Sequence, residues 1–452
     1  MAEVLQIATP ALGDRSYLIH DGAVALVIDP QRDTDRVTAL AADHGLRITH
    51  IAETHIHNDY LTGGPALAAV TGAAYLVNAA DPVGFDRTPV ADGDTVEVSD
   101  TLRVRALATP GHTFTHLSYV LESGGQVAGV FTGGSLLYGA TGRPDLLGPE
   151  HTDALARAQY ASAHRLAAEL PDTAPVFPTH GFGSFCSAGQ PGGQSSTIGG
   201  EKLANPVLTL SEREYLDGLL AGLDVWPAYY AHMGPANLAG PPGPDLSPPH
   251  QASAGEVRRR AEAGEWVIDL RDRIAFAAGF LPGSVSFPMT DSFTSYLGWT
   301  VPWGAPLTLL GETPEQVAQA QRDLARIWAD RPAAAASGGP ARWAAGARLA
   351  SLRLAKFGDL AGAMTAGRPV VLDVRRRLEW TENHIAGAWH IPLHELAGRA
   401  AELPPGEVWV HCHSGYRSIV AASLLARLGR RAVSVDDDFG NAAAAGLSLQ
   451  PA

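Results

Sequence analysis

Short apolar runs alternate with amphipathic stretches along the whole chain. Ser16–Ile19, Val24–Ile28 and Ile48–Glu53 read as strands, and the amphipathic stretch Asp33–His44 as a helix. Further strands are expected at Leu102–Ala106, Leu117–Leu121, Val127–Phe131 and Val176–Phe177, with a helix over Asp153–Glu169. Strand runs with covering helices over residues 1–245 predict a layered α/β domain. Pro and Gly then cluster in Gly240–Pro249, the composition of a stiff extended linker. A helix at Ala254–Ala263 and a strand at Trp266–Leu270 follow, then a second break at Arg331–Gly346. After it the pattern recurs around Val370–Val374. WVIDLRDRIAFAAGFLPGSVSFP runs parallel to VVLDVRRRLEWTENHIAGAWHIP: strand, Asp-x-Arg, helix, a Gly-containing turn and a strand ending in Pro. This internal repeat predicts two similar α/β domains, at 250–345 and 355–452.

The length of 452 residues agrees with three domains at roughly 150 residues each. A formal net charge of -14 excludes a nucleic-acid binder, which needs a basic face. No stretch reaches about 18 uninterrupted apolar residues, so no membrane span is expected. The first residues lack the basic and apolar regions of a signal peptide, and the expectation is a soluble cytoplasmic protein. The two cysteines, Cys186 and Cys412, are too few and too far apart for a disulfide framework and read as free thiols.

Four histidines and an aspartate fall at strand ends. His55 and His57, in Thr54-His55-Ile56-His57-Asn58-Asp59-Tyr60, stand at i and i+2 after a buried strand and can face one centre. Asp59 follows closely. His112 lies in Thr109-Pro110-Gly111-His112-Thr113, and His180 in Pro178-Thr179-His180-Gly181, each just past a strand. Such a donor set is what a first-row metal requires.

These motifs, with Phe131-Thr132-Gly133 between the last two, stand in the order found in the metallo-β-lactamase superfamily, which this region resembles. Its fold is an αββα sandwich. Within the superfamily, PGHTFTH followed by FTGGSLLYGATGRPD is most similar to the persulfide dioxygenases, relatives of glyoxalase II that bind one iron. The resemblance implies ligands at His55 and His112, and a substrate-positioning role for Arg143; the other reading of Arg143 is a salt bridge to Asp145. Tyr60 stands where the superfamily has a second-metal histidine, and Gly134 where it has a metal-binding aspartate. Both departures argue against a dinuclear hydrolytic centre. They leave His55, His57 and His112 as a three-histidine mononuclear site with open positions, which Asp59 and His180 either complete or support from behind. Cys186, six residues past His180, reads either as a small core hydrophobe or as a sulfur relay.

The second constellation is Cys412-His413-Ser414-Gly415-Tyr416-Arg417, between a buried strand at Val408–His411 and a helix expected over Ser418–Leu428. Inward backbone N–H groups and the positive helix end stabilise a thiolate and a bound anion. Arg417 closes the loop. The C-x4-R spacing is one residue shorter than the phosphatase C-x5-R loop and suits a sulfane sulfur atom. With Asp373-Val374-Arg375 and His384-Ile385-Ala386-Gly387-Ala388, the segment 355–452 resembles the rhodanese family, which implies that Cys412 carries a persulfide. Asp373 is expected to brace the domain by pairing with an arginine. In the middle repeat, Pro306–Glu312 stands in place of the loop without a cysteine or closing arginine. That repeat is expected to be a rhodanese-like fold without transferase chemistry, serving a structural or oligomeric purpose. Its Phe293–Trp303 segment reads as a packing surface or buried core.

Taken together, the chain resembles the multidomain persulfide dioxygenase–rhodanese fusions of bacterial sulfide detoxification. The resemblance implies Fe(II)- and O2-dependent oxidation of a low-molecular-weight thiol persulfide to sulfite, and sulfane transfer through Cys412 that forms or consumes thiosulfate. Zinc is the alternative metal. The rival readings are a zinc thioesterase like glyoxalase II fused to a sulfurtransferase, and a sulfur carrier with a silent metal domain. The carrier thiol stays open.

Overall fold

The computed structural model describes residues 2–189, 192–367 and 369–451. The chain forms two compact units, Met1–Asp245 with Ala325–Trp328, and Leu246–Leu324 with Ala329–Ala452. Both repeats belong to the second unit. Among the described residues no helix is long and apolar enough to cross a membrane.

In the first unit two six-stranded sheets face each other. One orders Glu3–Thr9, Asp14–His20, Val24–Ile28, Arg47–Ala52, Ala74–Asn78 and Thr88–Val90. The other orders Ser196–Thr197, Pro175–Pro178, Gln126–Gly133, Leu117–Ser123, Leu102–Ala108 and Thr95–Glu97. Side-chain alternation builds three layers of core from this pair. Tyr17, Ile19, Leu26, Ile28 and Leu76 meet Tyr119, Leu121 and Phe131 between the sheets. The alternate residues Leu18, Val27 and Val77 face outward onto Val37 and Ala41 of the helix Asp35–Asp43 and Leu67 of Gly64–Thr71. Val120, Val130 and Val176 face outward onto Ala156, Ala163 and Leu166 of Thr152–Glu169. Strands covered on both faces explain the uninterrupted apolar runs. The result is an αββα sandwich. Its first helix starts two residues later than the pattern suggests, and Asp33, just before it, is buried and paired with Arg36 and Arg326.

The second unit holds two parallel sheets of related order. One runs Val285–Ser286, Trp266–Asp269, Leu307–Gly311 and Ala334–Ser337. The other runs Trp389–His390, Val370–Asp373, Val408–His411, Ala432–Val435 and Arg353–Ala355. The Asp-x-Arg pairs repeat the same carboxylate contacts. Asp269 grips Arg271, which reaches the Gly279 carbonyl; Asp373 grips Arg375, which reaches the Asn383 carbonyl. The bracing role expected for Asp373 is what its contacts perform.

Two expectations are corrected here. Arg331–Gly346 is not a break: Ala334–Ser337 is a strand, Ala334 and Ala335 are fully buried, and Pro340–Ala344 is a helix. A run of alanines between Pro and Gly has linker composition, and only the tight parallel sheet shows why such small side chains are used there. The helix after the cysteine loop begins at Tyr416, two residues before Ser418, with Gly415 as a left-handed N-cap. Arg417 therefore stands in the first helical turn. The segment 293–303 contains the helix Phe293–Thr300, with Phe293, Leu297 and Trp299 buried.

Candidate functional site

Four strand ends deliver the first constellation. The strand Arg47–Ala52 leads to His55, Leu102–Ala108 to His112, Gln126–Gly133 to Gly134, and Pro175–Pro178 to His180. One ligand nitrogen from each of His55, His112 and His180 lies within 4.8 Å of the other two, and all three residues are buried.

Hydrogen bonding fixes the tautomers. Thr54 donates its hydroxyl hydrogen to Asp29, so Nδ1 of His55, 2.9 Å from Thr54 Oγ1, must donate to it. Nδ1 of His112 donates to the Arg143 carbonyl at 2.8 Å, and Nδ1 of His180 to Asp14 at 2.9 Å. Each bond leaves the Nε2 atom of its ring facing inward. The Nε2 atoms of His55 and His180 approach to 3.5 Å, and that of His112 is buried with no partner. Of the three, only the His112 Nε2 is orphaned: Asp59 and Asp14 outweigh burial and raise His180 to about 9, so without a cation its Nε2–H donates to His55, and a bound metal would displace that proton. The residues thus fit a metal held by neutral nitrogen. Burial pushes the His55 and His112 imidazoles well below their ordinary range, the unprotonated form a ligand needs.

His57 turns elsewhere. Its Nε2 lies 3.2 Å from Glu53, 3.3 Å from Asp29 and 2.9 Å from the Tyr60 hydroxyl. Burial opposes its charge, but the two carboxylates outweigh burial and raise it to about 10. His57 can also be grouped with Asp59 and His180 as a donor set. Asp59 is 3.3 Å from Nδ1 of His180, and neither of its oxygens has a hydrogen-bond partner. Burial and the neighbouring Asp59 push Asp14 up to about 7.

Gly134 is a consequence of packing. A Cβ there would fall within 3.0 Å of three atoms of the His112 ring. On the other side, a Cβ at Gly142 would lie 2.8 Å from Nδ1 of the same ring. His116 receives the Gly134 N–H at 3.0 Å and stacks on His55 at 5.0 Å. The His112 ring occupies the space in which a Cβ at 134 would stand.

Arg143 is 4% exposed and its donors are spent on Asp145 and the carbonyls of Phe185 and Asp224. The salt bridge to Asp145 is therefore present, and the guanidinium is not presented to solvent. Cys186 is fully buried; burial, then Asp59 and Asp14, push its thiol well above the ordinary value. A thiol held protonated is a poor nucleophile.

Cys412 is 1% exposed, and the Gly415 N–H points at its sulfur from 3.2 Å. Gly415 has φ 99°, a conformation that favours glycine and turns its amide inward. His413 and Ser414 are exposed at the mouth, Tyr416 is half-buried and Arg417 buried. Both terminal nitrogens of Arg417 are paired with Glu379, at 2.5 and 2.7 Å. Burial opposes the Glu379 charge, but Arg417 outweighs it and holds the carboxyl at about 2. In the middle repeat only Glu312 and Thr313 separate the strand Leu307–Gly311 from the helix Pro314–Ala325, against four residues in the Cys412 loop. The Glu312 N–H is spent on Gln316.

A model of the rhodanese-like domain matches residues 356–441. The first region is 28% identical over 215 residues to the human mitochondrial persulfide dioxygenase ETHE1, covering 47% of this chain and 78% of that protein. The chain is a metallo-β-lactamase-fold region with persulfide dioxygenase homology fused to a rhodanese-like domain. It is also similar to a hydroxyacylglutathione hydrolase of Polaromonas sp., 33% identical over 172 residues; the match spans 37% of this chain and 62% of the hydrolase's length. Among solved structures, a metallo-β-lactamase of Staphylococcus aureus is 27% identical with a TM-score of 0.66, covering 74% of this chain and all but 2% of the other, 98%. That likeness supports the fold of the fusion.

Asp14, Asp29, Glu53, His116 and Glu379 were not legible as functional from the sequence. A signal existed for two of them. Asp29 and Glu53 each end an apolar run, the position at which this fold delivers polar side chains to the site.

Proposed function

We propose that this fusion oxidises the terminal sulfur of a low-molecular-weight thiol persulfide to sulfite with O2, and that Cys412 exchanges sulfane sulfur with sulfite or thiosulfate. The observation that carries the reading is the convergence of the buried His55, His112 and His180 imidazoles, with the His112 Nε2 orphaned, beside a glycine at 134. Iron is the metal of this reading, with His55, His112 and His180 holding it and Asp59 beside His180; zinc fits the same nitrogen set. When bound, a metal held by three protein ligands supplies open positions for the substrate sulfur and O2. The chain's own part is orientation and exclusion of water. Asp14 and the Arg143 carbonyl hold the rings of His180 and His112.

At the second site, the Cys412 thiolate attacks the outer sulfur of thiosulfate. A sulfur–sulfur bond forms to Cys412, the bond between the two thiosulfate sulfurs breaks, and its electron pair leaves with sulfite. The Gly415 N–H and the positive end of the helix Tyr416–Arg427 stabilise the anionic sulfur. The reverse step captures sulfite as thiosulfate.

The test is product analysis of the iron-loaded chain given glutathione persulfide in air, with a glutathione thioester in parallel. Sulfite from the first and no hydrolysis of the second is expected. Thioester hydrolysis without sulfite would overturn the reading in favour of a hydrolase.

A further inference from the structure

The middle repeat places side chains against the cysteine loop, within the unit that both repeats form. Its helix Phe293–Thr300 sets the Tyr296 ring face 6.0 Å from the guanidinium carbon of Arg417 and 5.8 Å from the Tyr416 ring. The same helix stacks Trp299 on His394 at 4.5 Å, seating it beside the turn Leu393–Glu395 of the second repeat. A second contact comes from Arg273, whose Nε lies 2.6 Å from Asp436. The carboxylate of Asp436 occupies the space where a Cβ on Gly415 would project, and Arg273 Nε lies 3.4 Å from that point. Arg273 thus braces the residue that abuts the glycine donating to the Cys412 sulfur. The amide Ser286 N–H donates to Ser423 on the helix that follows the loop.

We propose that Tyr296 of the middle repeat is a positioning residue that holds the Arg417 guanidinium beside the Cys412 loop. The reasoning is electrostatic and steric. Glu379 fixes the guanidinium at its edge and neutralises it, but leaves its two faces unrestrained. The π-face of Tyr296 closes one of them, an arrangement favourable for a cation withdrawn from water. A loop closed by a fixed arginine presents its amides to a sulfur oxyanion in one geometry, and a loosened one binds that anion less well.

The inference rests on the sulfurtransferase reading of Cys412. The experiment compares full-length wild type, Tyr296→Ala and Tyr296→Phe in sulfur transfer from thiosulfate to cyanide, reading KM and kcat separately. A cation–π contact of this kind predicts a KM for thiosulfate raised roughly 3- to 10-fold in Tyr296→Ala, with kcat within about 2-fold. Tyr296→Phe, which keeps the ring, should stay within about 2-fold of wild type in both. Arg273→Gln tests the second contact independently of the Tyr296 helix, and should also raise KM. An inactive wild type would sink the sulfurtransferase reading itself. An active wild type with KM unchanged in Tyr296→Ala would overturn the inference, as would a Phe variant impaired as much as Ala.

Discussion

Restoring an acidic residue at position 134 should damage the metal centre. The His112 ring lies between Gly134 and Gly142 and is tied to the Arg143 carbonyl at 2.8 Å. A side chain at 134 meets the ring within 3.0 Å at three atoms, so the ring must move, and Gly142 blocks movement to the other side. Overpacking of this kind costs about 1–3 kcal/mol, and breaking the Nδ1 hydrogen bond orphans a buried carbonyl at a further ~1–3 kcal/mol. A net loss of at least ~2 kcal/mol in the ligand-ready conformation lowers metal affinity by roughly 30-fold. The assay is competition between the apo protein and a chromophoric chelator for Co(II) or Fe(II), for wild type, Gly134→Ala and Gly134→Asp. The alanine variant should already show most of the loss, because the obstruction begins at Cβ. Tighter binding in Gly134→Asp, or an alanine variant equal to wild type, would refute the packing argument.

Mass spectrometry after thiosulfate treatment should show a sulfur adduct that vanishes in Cys412→Ser and persists in Cys186→Ala, since the Cys186 thiol is buried and held protonated; an adduct surviving Cys412→Ser would assign sulfur transfer to Cys186. His57→Ala should lower stability by about 3–5 kcal/mol in denaturant unfolding, because it leaves Glu53 and Asp29 buried without their cationic partner; a neutral outcome would mean the cluster is not charged. The Glu379 carboxyl is depressed to about 2 in the folded chain, so its pairing with Arg417 stabilises the fold above its unfolded value and loses this as pH falls toward 2. The stability gap between wild type and Glu379→Gln should therefore be largest near neutrality, up to ~3 kcal/mol, and close progressively below about pH 4.5. A gap independent of pH would exclude the ion pair as its source.

Architecture was legible wherever burial wrote a period into the chain. The alternation at Tyr17, Leu18 and Ile19 already encodes two covered faces, and the paired Asp-x-Arg segments announce the duplication that the matching Arg271 and Arg375 bridges make physical. Ala334–Ser337 was illegible because alanine carries no strand signature and its flanking Gly and Pro imitate a linker. Within the sites, residue types were readable and orientations were not. His55 and His57 share one side of an extended stretch, yet Glu53 and Asp29 draw His57 into its own cluster, while His180 arrives from a strand of the other sheet. Glu379 stayed hidden for the same reason: it is an ordinary acidic helix residue until the fold brings Arg417 onto it, 38 positions away.

The central claim is tested most directly by oxygen consumption. The iron-loaded chain, given a low-molecular-weight persulfide in a closed oxygen electrode, should consume one O2 for each sulfite formed. Uptake should vanish in His112→Ala and continue in Cys412→Ser. Absence of uptake by the iron-loaded wild type, with the persulfide left intact, would contradict the account.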